Sequence, residues 1–125
     1  MASVDGIEIE EGVAFGRGAD RDLLCDIYTP RSGANDTGVL MFHGGGWSRG
    51  DRGSMREPAL ALAAQGFVTV APEYRLTTES PWPAQLHDVK AAIRWMRRLP
   101  SSGSSRSASE RDAARCVNAF MERHA

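Results

Sequence analysis

Apolar and polar positions alternate near the start of the chain and then stop alternating, and that change sets the first structural expectation. Ile7 and Ile9, then Val13 and Phe15, recur at spacing two among polar neighbours, and Leu23, Cys25 and Ile27 do the same against Leu24, Asp26 and Tyr28 until Pro30. Successive side chains of a strand point to opposite faces, so this pattern predicts two half-buried strands at a sheet margin. Residues 39–42 (Val, Leu, Met, Phe) and 67–71 (Phe, Val, Thr, Val, Ala) run without clean alternation. Strands covered on both faces have that composition.

Between these two runs, Ser54 is placed to cap a helix with Leu60, Ala61 and Ala64 on one side and Gly66 at its end. Strand, helix and strand then form a right-handed βαβ unit. After Pro81 and Pro83, the residues Leu86, Val89, Ile93 and Met96 recur at intervals of three and four, with Asp88, Lys90, Arg94 and Arg97 between them. This predicts an amphipathic helix ending near Leu99 and Pro100. The fold class is therefore α/β, with about four strands and two main helices over residues 1–100.

From Ser101 the pattern breaks. Six serines and four arginines follow by Ala125, with Val117, Phe120 and Met121 the large apolar residues. Residues 101–125 read as a separate Ser/Arg/Ala-rich tail, irregular or with a short helix over about residues 110–123 that has little to bury.

Composition narrows the function. Fifteen Lys and Arg against 16 Asp and Glu give a net charge of -1, which provides no field to gather nucleic acid or an anionic membrane. Cys25 and Cys116 form neither a CxxC pair nor a dense framework, and both read as reduced thiols. An acidic N-terminus without a basic-then-apolar leader, and no apolar run of membrane-spanning length, predict a cytoplasmic protein. His43, His87 and His124 lack metal-ligand spacing, so neither metal nor cofactor is expected.

The chemistry concentrates in His43, Gly44, Gly45, Gly46 and Trp47, directly after an apolar run. Consecutive glycines allow positive φ and close backbone approach, and amides presented that way can face a developing oxyanion. Taken alone, a triple glycine is more often only a tight turn.

In order along the chain, residues 43–47, Gly50 and Asp51, residues 71–76 (Ala, Pro, Glu, Tyr, Arg, Leu), residues 81–88 and Ile93, Arg94, Trp95 resemble the HGGGW-type carboxylesterase and lipase branch of the α/β-hydrolases. That branch includes hormone-sensitive-lipase-like, feruloyl-esterase-like and kynurenine-formamidase-like groups. The resemblance covers roughly residues 22–99 and implies an N-terminal half of the hydrolase sheet.

It also implies an oxyanion hole at Gly45 and Gly46 with help from Gly44, His43 as a loop buttress, Trp47 in or behind the acyl pocket, and Asp51 and Arg75 as loop braces. A small ester would be the substrate, attacked by an activated serine through an acyl-enzyme.

Such an enzyme also needs a serine on a G-x-S-x-G turn, then an acid and a histidine. All three are expected to be absent. The serines at 101–105 follow Arg97, Arg98, Leu99 and Pro100 and not an apolar strand, His87 reads as a helix-surface residue, and His124 is one residue from the end. The expectation is a truncated hydrolase, inactive alone, that self-associates through the edge of the strand at residues 39–42. Two alternatives stand beside it: a non-catalytic module that binds a longer hydrolase, and one half of a two-chain enzyme.

Overall fold

In the computed structural model, residues 2–98 are described. They form one five-stranded sheet with a helix packed against each face. The strands are β1 (Ala2–Val4), β2 (Ile7–Arg17), β3 (Asp22–Pro30), β4 (Gly38–Leu40) and β5 (Val68–Pro72), in the order β1-β2-β3-β5-β4. The helices are α1 (Arg56–Ala64) and α2 (Ala84–Arg97). β4 and β5 run parallel with α1 between them in sequence, and all other pairings are antiparallel.

The fifth strand, β1, is absent from the sequence reading. It pairs with β2 through a hairpin whose two central residues, Asp5 and Gly6, both have positive φ (49° and 79°), the conformation that Asp-Gly favours. β4 is shorter than the apolar run predicted, and it ends the strand order among the described residues. Met41 continues alongside β5 for one hydrogen bond, its N–H donating to the Val70 carbonyl at 2.8 Å.

The register of β2 slips against β3 between Glu10 and Val13, beside Gly12 at φ 69°. One extra residue reverses which face the following side chains meet. Ile7 and Ile9 accordingly join Tyr28, Ala59, Ala63 and Ala71 on the α1 side. Val13 and Phe15 join Leu23, Cys25, Leu40, Phe42, Val70, Tyr74, Val89 and Ala92 on the α2 side.

Two helix faces differ from expectation. In α1 the buried residues are Ala59 and Ala63 with Leu60 partly covered, whereas Ala61 and Ala64 face solvent. Ser54 does not cap α1; it lies in a 3₁₀ turn (Arg52–Met55) capped by Asp51, whose carboxylate accepts from Ser54 N–H at 3.1 Å. In α2 the buried stripe is Ala84, Gln85, Asp88, Val89 and Ala92. Leu86, Ile93 and Met96 are only partly covered, and Asp88, read from sequence as a solvent-side residue, is buried. The tail, Cys116 and His124 lie outside the described residues.

Candidate functional site: a glycine loop on a buried histidine and tyrosine

The glycine loop leaves β4 through Phe42 and His43, whose side chains are both buried. The His43 ring stacks on Tyr74 at 4.4 Å between centroids and 13° between planes. Tyr74 O–H donates to the His43 carbonyl at 2.6 Å, and His43 Nδ1 lies 2.9 Å from the Gly44 carbonyl oxygen and 3.3 Å from the Tyr74 hydroxyl. With its ring enclosed this way, His43 fixes the loop and offers no free nitrogen at Nδ1. Burial pushes the Tyr74 phenol up to about 12, so it remains the O–H donor across the physiological range.

Beyond this anchor the backbone enters the left-handed region three times in succession, at Gly45 (φ 135°), Gly46 (φ 63°) and Trp47 (φ 67°). A Cβ on Gly45 would run into the Arg49 carbonyl. At Gly50 (φ 100°) it would lie 2.5 Å from the Gly44 carbonyl oxygen and 2.7 Å from His43 Nδ1. Glycine at both positions is thus a steric requirement of the loop.

Ser48 N–H closes a turn onto the Gly45 carbonyl at 3.2 Å, and Thr77 N–H donates to the Trp47 carbonyl at 2.8 Å. No acceptor among the described residues takes the amides of Gly45 or Gly46. Such a loop can present two backbone N–H groups to an anionic oxygen.

Trp47, a non-glycine residue in a conformation that side chains seldom adopt, packs edge-on against Tyr74 (5.0 Å, 62°) and against Trp82 (5.8 Å, 61°). Asp51 caps the turn that follows, and His87 is exposed on α2.

One motif escapes the sequence reading: Gly46, Trp47, Ser48, Arg49 and Gly50 satisfy the G-x-S-x-G spacing. The geometry does not make Ser48 a nucleophile elbow. Ser48 is exposed, its Oγ donates to the Gly45 carbonyl at 3.3 Å, and the strained φ belongs to Trp47 one residue earlier. A nucleophile needs a base within hydrogen-bond reach, whereas Ser48 Oγ is bonded to a backbone carbonyl and His43 Nδ1 faces the Gly44 carbonyl and the Tyr74 hydroxyl.

A family model described as BD-FAE matches residues 25–101. The chain belongs to that family. Among curated relatives it is 45% identical over 60 residues to the carboxylesterase NlhH of Mycobacterium tuberculosis, a match covering 46% of this chain and 18% of the relative. It is 32% identical over 92 residues to lipase 2 of Moraxella sp., covering 70% of this chain and 21% of the relative.

The chain thus spans about a fifth of the length of these curated relatives. Esterase B of Lactobacillus rhamnosis superimposes with a TM-score of 0.66 at 28% identity, over 78% of this chain and 32% of the esterase. Esterase 2 of Thermogutta terrifontis shares the fold, with a TM-score of 0.64 at 24% identity over 87% and 37% of the two chains. An α/β-hydrolase of the carboxylesterase type, represented by the first part of its sheet, accounts for the element order.

In this BD-FAE chain the loop's far end is tied down by charge. Arg52 donates through Nε to Asp26 at 3.0 Å and through a terminal nitrogen to Glu73 at 2.7 Å. Asp26 also accepts from Gly12 N–H at 3.0 Å, so the β2 irregularity and the loop exit share one carboxylate. Glu73 is bonded in turn to Arg21, which grips Glu79.

Arg75 forms a separate fork on buried Asp88, with contacts at 2.8 and 2.9 Å, and its own N–H donates to the same carboxylate at 2.8 Å. The hydrogen bond from Arg21 holds the Glu79 carboxyl below its usual range. Asp51 and Arg75, both singled out from sequence, hydrogen-bond within the segments flanking the loop; Tyr74, Arg52, Asp26 and Glu73 were not assigned roles, because their partners lie 14 to 52 residues away. Among the described residues no group of three His, Cys, Asp or Glu side chains is placed to hold a metal, and no helix is long and apolar enough to cross a membrane.

Proposed function

We propose that this chain carries the oxyanion-stabilising part of a serine-type carboxylic ester hydrolase and contains neither the nucleophile nor its acid and base. Gly45 and Gly46 supply the amides, with Gly44 shaping the approach. His43 and Tyr74 hold the loop from beneath, Trp47 borders the acyl site, and Asp51 and Arg75 brace the flanking segments. The observation that carries this reading is the run of three left-handed residues, Gly45, Gly46 and Trp47, seated on the buried His43–Tyr74 pair.

The reaction that such a loop serves is attack of an activated serine on an ester carbonyl, followed by water on the acyl-enzyme. An oxyanion hole without the triad gives only a small residue of the full acceleration, so these 125 residues alone are inactive. The purified chain, assayed with p-nitrophenyl butyrate, is expected to show no turnover above buffer, and Ser48→Ala is expected to change nothing. Turnover in the wild type that Ser48→Ala abolishes would refute the assignment of a missing nucleophile.

A further inference from the structure

β2 runs for 11 residues, yet β1 pairs only with Ile7, Glu8 and Ile9. From Glu10 to Arg17 the strand has β3 on one side and, among the described residues, no strand on the other. Glu10, Glu11, Gly12, Ala14 and Arg17 are exposed along it. An edge of this kind is a template for another strand.

The segment is symmetric about Ala14 in the faces that its side chains meet. Val13 and Phe15 both turn to the α2 side. Gly12 and Gly16 stand at the two register shifts against β3, between Glu10 and Val13 and between Ala14 and Gly16. Gly16 faces Ala91 of α2, so Arg17, one residue on, turns to the α1 side. Glu11 lies on that side too, reaching Arg56 of α1 at 3.4 Å. Register shifts sharpen the local twist, and a strand laid along this edge must carry the same twist. A second copy of the segment does.

We infer that residues 11–17 of β2 pair antiparallel with the same residues of a second copy of this chain, about a two-fold axis at Ala14. Glu11 then lies opposite Arg17, Gly12 opposite Gly16, Val13 opposite Phe15, and Ala14 opposite its own copy. Each facing pair shares one side of the sheet. By symmetry the contact holds two pairs of opposite charge and two pairs of an aromatic with a β-branched residue, both of which stabilise antiparallel strands. Other registers lose these matches. With the axis at Val13, Glu11 meets Phe15 and Arg17 falls opposite Ile9, where β1 already stands. With the axis at Phe15, Val13 meets Arg17 and Glu11 meets Ala19. The ion pairs that Glu11 and Arg17 make within one chain, to Arg56 and Asp22, are exposed and weak enough to be exchanged.

The test is sedimentation equilibrium of the purified chain over a concentration series. The wild type is expected to pass from monomer to dimer. Glu11→Arg and Arg17→Glu, each alone, set like charges opposite one another and should weaken the dimer about tenfold or more. Mixed in equal amounts, the two variants restore both attractive pairs and should associate with each other close to the wild-type strength. Ala14→Cys should form a disulfide-linked dimer under mild oxidation, whereas Ala61→Cys, exposed on α1, should not exceed the wild-type background. Circular dichroism checks that each variant is folded. A wild type that stays monomeric throughout, or an association that both charge reversals leave unchanged, would overturn the pairing.

Discussion

The two faces of the sheet are covered by helices of unlike content. α1 presents Ala59 and Ala63, with Leu60 at the margin, to Ile7, Ile9, Tyr28 and Ala71. α2 packs Val89 and Ala92 into a layer of Phe15, Leu23, Leu40, Phe42 and Val70, and Tyr74 and Trp47 continue that layer upward. Phe42 meets Tyr74 at 6.5 Å, Tyr74 stacks on His43, and Trp47 leans on both Tyr74 and Trp82. The glycine loop is thus rooted in the α2-side core. The α1 side contributes closeness of approach between helix and sheet. Damage on the α2 side should reach the loop, and damage of similar size on the α1 side should not.

Phe42→Ala is the strongest way to expose this asymmetry. A cavity at a fully buried phenylalanine costs about 3–5 kcal/mol, whereas Leu60→Ala, at a partly covered position, should cost less than about 2 kcal/mol. Urea unfolding measures both, and amide spectra should show Gly45 and Gly46 moving in Phe42→Ala and staying put in Leu60→Ala. Equal disturbance of the loop by the two would break the comparison.

Asp88→Asn tests the charged clamp on the same side. Removing one partner of a buried pair leaves the other charge poorly matched, and the expected loss is about 2–4 kcal/mol in the same unfolding experiment. The segment carrying Trp82 should also exchange its amide hydrogens faster.

Tyr74→Phe removes the hydroxyl from the His43 carbonyl, at a cost of about 1–2 kcal/mol. It also changes the alkaline limb. The phenol is raised in the folded chain from about 10 to about 12, so its contribution is fully present below the unfolded value and is lost as pH rises through the folded one. The variant should therefore lose stability less steeply than the wild type between pH 10 and 12. Some slope should remain, because burial likewise pushes the Cys25 thiol up to about 12.

Glu79→Gln is the smallest effect. The Glu79 carboxyl is held low by Arg21, so its contribution is present above the unfolded value and fades as pH falls through the folded one. With both partners more than a third exposed, the expected change at neutral pH is a few tenths of a kcal/mol. An acid titration of the two proteins should converge as pH falls through the folded value, which lies below the ordinary glutamate range.

Much of this fold is legible in the chain, for reasons that also mark where legibility ends. β2 and β3 follow from alternation, β5 from its unbroken apolar run, and α2 from its three-four spacing, because burial is written directly into residue type. β1 is signalled by the Asp5-Gly6 pair, which demands two positive φ values, but three residues carry too little periodicity to attract notice. The burial of Asp88 is hidden because a charged residue reads as solvent-facing unless its partner is known, and Arg75 lies 13 residues earlier.

The face of α1 is misjudged because alanines are equally acceptable inside and outside. At the site, the glycines are legible since only they fit the loop. The Tyr74 hydroxyl on the His43 carbonyl is not, since no local pattern encodes a contact between residues 31 apart.

The most direct test of the central claim is fluorophosphonate labelling of the folded, purified chain, read by intact mass. No adduct is expected in the wild type or in Ser48→Ala, because the loop proposed to hold the oxyanion has no activated serine beside it among the described residues. A stoichiometric adduct that maps to Ser48 or to any other serine of these 125 residues would contradict it.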